Sequence, residues 1–318
     1  MLKKVLPGSL KKPRPPQSLN LVLPATSANL GPALDAAALA FSMFLKIRAS
    51  TAPKFSIAAE GRDADICRRM QDQLILTTYR EVLESQGKAI QPLVLNITNE
   101  IPIGKGCGSS AAARLAGIAL AVHFGRLRWN DNQIVSEAAR REHHPDNAAA
   151  CWMGGLAVAR TQANGEAKIA TIRPKGKWPL LLAVPLEALP TEQARSVLPE
   201  QYSRDDAVIN IQKSMLLLGA FTQGRPDLLS VALQDRLHEP YRAHLCPLLP
   251  ALQRLGDRRI LGVALSGAGP SVLIFLDSDA SAKSVSGRVR EHLRSNGLQA
   301  ELLPVAITLK GGRRRLNR

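Results

Sequence analysis

Four short stretches of the chain hold residue types and spacings that could do chemistry. The first is Ile101-Pro102-Ile103-Gly104-Lys105-Gly106-Cys107-Gly108-Ser109-Ser110-Ala111-Ala112, in which three glycines alternate and two serines open an Ala/Leu run. Glycines let a backbone turn tightly and let a bulky anion approach the amides. The free N–H groups and positive dipole end of a following helix favour phosphate. The serine hydroxyls suit a helix cap or a metal ion. A dinucleotide-binding fingerprint would follow the first strand, with an acid about 20 residues on, and a Walker A loop would end in Gly-Lys-Ser/Thr. Neither fits, and phosphate binding is the better reading against a plain glycine turn.

The second stretch is Leu23-Pro24-Ala25-Thr26-Ser27-Ala28-Asn29-Leu30-Gly31-Pro32-Ala33-Leu34-Asp35. A strand ends in a polar turn with Asn29 and Asp35 presented beyond it; both residue types also serve as plain turn formers. The third, Glu142-His143-His144-Pro145-Asp146-Asn147, gathers a carboxylate, imidazoles and an amide before an Ala-rich helix start. That composition suits a metal or catalytic site, and equally an Asp/Asn helix cap. The fourth, Leu265-Ser266-Gly267-Ala268-Gly269-Pro270-Ser271, reads as a tight glycine loop between two short strands.

The elements that must position these stretches follow from periodicity. Residues 19–23 read as a strand ended by Pro24, and 41–49, 54–59 and 93–98 alternate as strands. Helical spacing covers 71–86, 109–124 and 131–141, and Gly154-Gly155 opens a strand through Ala159. Beyond a boundary near 165, strands are expected at 180–184, 260–265, 272–276 and 299–305. Helices are expected at 205–222, 226–233, 247–255 and 280–294. The mixture argues α+β rather than a regular βαβ repeat.

The chain has 318 residues, 45 % of them hydrophobic and 21 % charged, with a net charge of +16. That composition excludes a disordered chain, and the length suggests two domains. No stretch is apolar enough for a spanning helix, and the basic start lacks the apolar segment of a secretory signal. Cys67, Cys107, Cys151 and Cys246 are scattered without a CxxC, so neither a disulfide framework nor a zinc site is indicated and a reducing cytoplasm fits. Residues 1–18 and 310–318 carry +10 of the +16. With no aromatic residue among those charges, solvated ends are the better reading and nucleic acid is not an expected partner.

In this order the four stretches resemble the GHMP kinases, and within them the homoserine kinase branch. That branch carries P-A-T-S-A-N-L-G-P-G-F-D, P-x-G-x-G-L-G-S-S-A-A, H-P-D-N and L-S-G-A-G-P. Two further segments are similar, Thr191-Glu192-Gln193-Ala194-Arg195-Ser196-Val197-Leu198-Pro199 and Leu237-His238-Glu239-Pro240-Tyr241-Arg242. The resemblance covers about residues 20–307. It implies an α+β, two-domain GHMP kinase fold: a ribosomal protein S5 domain 2-like N-terminal domain over 19–165 and a ferredoxin-like C-terminal domain over 166–308. The basic tails would be 1–18 and 309–318. It implies transfer of the ATP γ-phosphate to the hydroxyl of L-homoserine in threonine synthesis, with Mg²⁺. Other readings are a kinase of another small hydroxylated substrate, or a nucleotide-binding homologue without catalysis.

By matched position, Pro102, Ile103, Gly104, Lys105, Gly106, Cys107, Gly108, Ser109, Ser110, Ala111 and Ala112 would wrap the triphosphate, with Gln73 near the adenine. Ser110, with Ser109 beside it, and Glu142 would hold Mg²⁺, Glu137 being a competitor for the second role. Asn29 and Asp35 would grip homoserine, with His144 and Asp146 nearby. Thr191, Arg195 and Arg242 would bind its carboxylate, which guanidinium suits. Asp35 and Asp146 are the candidate general bases; phosphoryl transfer also runs without one if the proton leaves with the phosphate oxygen. A homodimer is compatible with the resemblance. The chain departs from the branch at Ala33, Leu34, Gln73, Cys107, His143 and Ala148; a position needing positive φ would make Ala33 costly.

Overall fold

The computed structural model describes residues 18–71 and 73–312. The basic residues expected in the tails, Lys310 apart, lie outside them.

Strands β1 (Ser18–Asn29) and β2 (Ala33–Thr51) form a long antiparallel hairpin. Leu19, Leu21 and Leu23 alternate inward as a half-buried strand requires. Pro24 does not end β1 as expected. The register shifts between Pro24 and Ala25, and such a bulge is where a residue without an N–H is tolerated. The strand then runs, fully buried, into Asn29.

Next come β3 (Ser56–Gly61), α1 (Ala64–Arg68), α2 (Leu74–Ser85), β4 (Leu93–Asn99), α3 (Ser109–Phe124), α4 (Asp131–Glu142), α5 (Asp146–Met153), β5 (Leu156–Thr161) and β6 (Ala167–Ile172). The first sheet has the order β3-β4-β2-β5-β6, with β1 also on β2. Only β3 and β4 pair in parallel within it. Helix α3 is Ala-rich and apolar nearly all round because α2, α4, α5 and β1 surround it. At Gly117 the α2 backbone is so close that a Cβ would sit 2.5 Å from Ile75 O.

The rest comprises β7 (Leu180–Val184), α6 (Thr191–Ser196), α7 (Arg204–Gln223), α8 (Leu229–Ala232), α9 (Glu239–Arg242), α10 (Leu248–Gln253), β8 (Ile260–Leu265), β9 (Val272–Leu276), α11 (Ala282–Ser295) and β10 (Glu301–Val305). Their antiparallel sheet has the order β10-β7-β9-β8, the ferredoxin-like order. Leu181, Ile274, Val285, Val289 and Leu293 are part of its own apolar core. The α+β expectation holds.

The 165/166 seam falls inside the β5–β6 hairpin: β6 pairs with β5, so the first sheet extends to Ile172. After β10 the chain returns to that sheet, where Thr308 N–H donates to Ala40 O at 3.0 Å. Gly312 N–H donates to Cys151 O at 2.9 Å, so the segment expected as a tail from 309 is packed as far as it is described.

Candidate active site

A cavity of about 920 Å³ runs between the two sheets' loops. One end is walled by Leu45, Ile66, Met70, Leu74 and Ile97, an apolar surface suited to a flat heteroaromatic group. Gln73 lines this end as the N-cap of α2: its Oε1 accepts from Ile75 N at 3.3 Å and its Nε2 donates to Cys67 O at 2.7 Å.

The middle of the cavity is backbone. Gly104, Gly106 and Gly108 hold φ of 70°, 75° and 72°, and Gly108 caps α3 without any side-chain cap bond. Ser109 and Ser110 are therefore the first helical residues rather than caps, and the first amides of α3 stay available to an anion. Gly106 and Gly108 are obligatory for contact reasons as well. A Cβ on Gly106 would lie 2.1 Å from Ser266 O, and one on Gly108 1.9 Å from Thr26 Oγ1. The first and fourth glycine stretches thus pack face to face, with Ser266 Oγ donating to Gly106 O at 2.8 Å.

Ile103, Gly104, Gly106, Gly108, Ser109, Ser110 and Ala111 line the cavity. Pro102, Cys107 and Ala112 sit buried behind that lining, where burial pushes the Cys107 thiol up to about 12. Lys105 reaches across instead: its Nζ donates to Pro185 O at 2.9 Å and to Leu186 O. Asp63 was not expected here, yet its Oδ2 accepts from Ile103 N at 3.0 Å and pins the loop's start.

At the edge of the loop, Ser110 Oγ donates to Glu142 Oε1 at 2.7 Å. A hydroxyl and a carboxylate at this point are the hard oxygen donors that suit Mg²⁺, so the pair fits the expected ion. Arg114, one turn along α3, pairs with the same carboxylate oxygen. Glu137 is bound by Arg140 and Arg141 and does not line the cavity, whereas Glu142 does.

The far end is built from side chains of separate segments. Asn29, Leu30, Gly31 and Asp35 hold left-handed φ of 71°, 47°, 76° and 53°, whereas Ala33 is ordinary strand, so the anticipated strain at Ala33 is absent. Asn29 acts as a strut: its Nδ2 donates to Gly267 O at 2.7 Å, and its Oδ1 accepts from Asp35 N at 3.0 Å. Asp35 meets Arg195 in a two-pronged ion pair at 2.6 and 3.1 Å. Thr191, the first residue of α6, lines the same wall.

Arg242 is 1 % exposed. Its Nε donates to Ala194 O at 2.8 Å and its Nη1 meets His238 Nδ1 at 3.1 Å, but no carboxylate among the described residues binds it. Burial, and then the charge of Arg195, hold its pKa below the ordinary arginine value. His238 places Nε2 on Gly31 O at 2.7 Å, so Nε2 carries the proton and Nδ1 accepts from Arg242. The neighbouring Glu239 is also buried, and burial pushes it up to about 8 while its Oε1 accepts from Leu265 N at 2.7 Å. Both residues lie in a quoted segment; their burial was the missing signal.

His144 Nδ1 lies 2.7 Å from Asp146 Oδ1, which also accepts from Asn147 N at 2.6 Å. Burial works against a charged His144, but the hydrogen bond and charge of Asp146 outweigh it and hold its pKa above the ordinary histidine value. Asp146 Oδ2 is buried without a hydrogen-bond partner among the described residues. Asp35, His144 and Asp146 bring donor atoms within 4.8 Å of one another. Behind them Thr26 Oγ1 donates to Asn147 Oδ1 at 2.6 Å. The expected residues of the glycine loop and of the acceptor end therefore line or support one cavity.

Family models for the GHMP kinase N-terminal domain and the GHMP kinase C-terminal region match residues 73–155 and 217–295. The chain is 41 % identical to the homoserine kinase of Solibacter usitatus over 292 residues, covering 92 % of this chain and 95 % of that protein. It is 32 % identical to the homoserine kinase of Deinococcus radiodurans, covering 93 % and 97 %. The crystal structure of homoserine kinase from Cytophaga hutchinsonii superposes with a TM-score of 0.78 at 21 % identity, covering 97 % of this chain and 99 % of that one, a likeness of fold. With both family models matched in order and the relatives covered nearly end to end, the chain belongs to the GHMP kinases, in their homoserine kinase family.

Proposed function

We propose that this protein transfers the γ-phosphate of ATP to the side-chain hydroxyl of L-homoserine, giving O-phospho-L-homoserine and ADP. The observation that carries the reading is the charge arrangement at the acceptor end. A half-exposed Asp35–Arg195 pair stands beside a buried Arg242 that no carboxylate among the described residues satisfies. A small zwitterion suits that arrangement: its ammonium takes Asp35, and its carboxylate takes Arg195 and Arg242. One internal ion pair is exchanged for two external ones, and guanidinium binds carboxylate with two parallel hydrogen bonds.

At the other end, the loop amides and the start of α3 cradle the phosphates. Ser110 and Glu142 would hold Mg²⁺, which supplies charge neutralisation and a fixed geometry to the transferring phosphoryl group. For the hydroxyl proton, Asp146 is the better acceptor of the two carboxylates. Among the described residues its Oδ2 has no donor, whereas Asp35 is held by Arg195 in the ligand-free protein and would be taken by the substrate ammonium in the complex. His144 and the Asn147 amide keep the Asp146 carboxylate oriented through Oδ1. The four cysteines are free and buried, which agrees with a reducing cytoplasm as the site of reaction. Among the described residues no helix is long and apolar enough to cross a membrane.

The test is ADP release by the purified protein with ATP and Mg²⁺, with and without L-homoserine. Stimulation by homoserine and not by serine, mevalonate or galactose is expected. ATP binding without stimulation by homoserine overturns the acceptor assignment while leaving the nucleotide site standing.

A further inference from the structure

Arg114 has no place in the reading above, yet it touches that reading's metal carboxylate. It lies one helical turn beyond Ser110 on α3, and both side chains converge on Oε1 of Glu142. The Glu142 side chain is 11 % exposed and that of Arg114 25 %. An ion pair this sheltered is little screened by water or salt. The other arginines beside Glu142 are engaged elsewhere: Arg140 with Glu137, and Arg141 with Glu137 and Glu81. Glu142 lines the cavity and Arg114 does not, so the guanidinium reaches the carboxylate from the helix side. Among the described residues Glu142 Oε2 makes no hydrogen bond.

We propose that Arg114 is the resting counter-ion of Glu142: it neutralises the carboxylate in the ligand-free protein, so that a divalent cation settles there only together with the negative charge of the nucleotide phosphates. The inference rests on the phosphoryl-transfer reading and adds an order to it. A sheltered carboxylate with no cation would draw one from solution, because an unpaired buried charge is costly. With Arg114 in place the local charge is already balanced, and a dication alone would meet a like charge. Phosphates reverse that balance, so the metal enters with the nucleotide and free cation does not lock the empty cavity.

The experiment uses Mn²⁺ as the probe, titrated into the nucleotide-free, full-length protein and read by electron paramagnetic resonance. Arg114→Leu is expected to bind Mn²⁺ at least roughly tenfold more tightly than wild type, the factor for removing one charge about 6 Å from a dication even at the dielectric of bulk water. Arg114→Lys, which keeps the charge, should stay within about threefold of wild type. Adding Glu142→Gln to the leucine variant should abolish the gain. Equal or weaker binding by Arg114→Leu overturns the proposal, and so does tight, stoichiometric binding by wild type. Cooperative melting checks the fold; if the leucine variant fails it, Arg114→Gln takes its place. Homoserine-stimulated ADP release by the same wild-type preparation separates the two readings. Turnover without the Mn²⁺ difference removes the counter-ion, and the difference without turnover removes the acceptor assignment.

Discussion

At the phosphate end of the cavity the chain offers backbone; at the acceptor end it offers side chains. The first is assembled within a dozen consecutive residues, where three left-handed glycines and the uncapped start of α3 do the work. The second draws on four distant segments, around Asn29 and Asp35, His144 and Asp146, Thr191 and Arg195, and His238 and Arg242. Backbone suits a group that every ATP shares, because amides are present whatever the side chains. Side chains suit the group that distinguishes one acceptor from another. The two ends should therefore fail differently: the first sterically and as a whole, the second gradually and one charge at a time.

Gly106→Ala is the strongest challenge to that contrast. The new Cβ would meet Ser266 O at 2.1 Å and Gly269 O at 2.6 Å, at a φ of +75°. Loss of about 3–5 kcal/mol of stability and loss of ADP binding are expected together, in melting and calorimetry. Gly165→Ala serves as the control, since nothing lies within 4 Å of its Cβ at a comparable φ of +82°. It should cost only about 1 kcal/mol. Similar costs at both positions would mean that backbone freedom alone, and not the packing of the two glycine loops, makes Gly106 necessary.

Two predictions probe the side-chain end. Arg242→Ala should raise the homoserine KM roughly 100-fold, about 3 kcal/mol, while ATP affinity stays near normal. Collapse of ATP binding would show that Arg242 holds the cavity together rather than the acceptor. The second concerns Glu239, which burial lifts from 4.5 to about 8. A carboxyl raised by folding gives stability that is full below the unfolded pKa and is lost as pH rises through the folded one. Wild type should thus lose several kcal/mol, at most about 5, between about pH 4.5 and 8 that Glu239→Gln keeps, read as denaturation midpoints across pH. Parallel curves for the two proteins would place an ionised Glu239 in the folded state.

The same contrast decides what could be read from the residues alone. Helix α3 and the loop before it were legible to the residue, because alternating glycines and an Ala run are local statements. So were β7, β8 and β9, apolar runs between turn formers. Pro24 was misread as a strand end because its tolerance is decided by the register of β1 on β2. The β6 stretch Ala-Lys-Ile-Ala-Thr-Ile shows no clean period, so the sheet's last strand went unseen. Helices α1, α6 and α9 are too short for a helical period to register. At the site, residue identities were legible but engagements were not. The Asn29 amide finds its partner at Gly267 and the Asp35 carboxylate at Arg195, contacts that exist only once the two sheets are together.

The smallest expected effect sits at the join between the two ends. His143 follows the cavity-lining carboxylate Glu142, precedes His144, and is the left-handed C-cap of α4, with φ 65° and ψ 5°. Glycine is favoured at such a cap because a Cβ crowds the backbone there. His143→Gly should therefore stabilise the protein by about 0.5–1 kcal/mol and raise the melting temperature by roughly 2 °C. If the acceptor end depends on the backbone path between Glu142 and His144 and not on the imidazole between them, the KM values for ATP and homoserine should both stay within about twofold of wild type. A shift in the homoserine KM alone would make His143 a member of the side-chain end. A shift in the ATP KM alone would instead tie the relaxed cap to the Glu142 carboxylate and the phosphates.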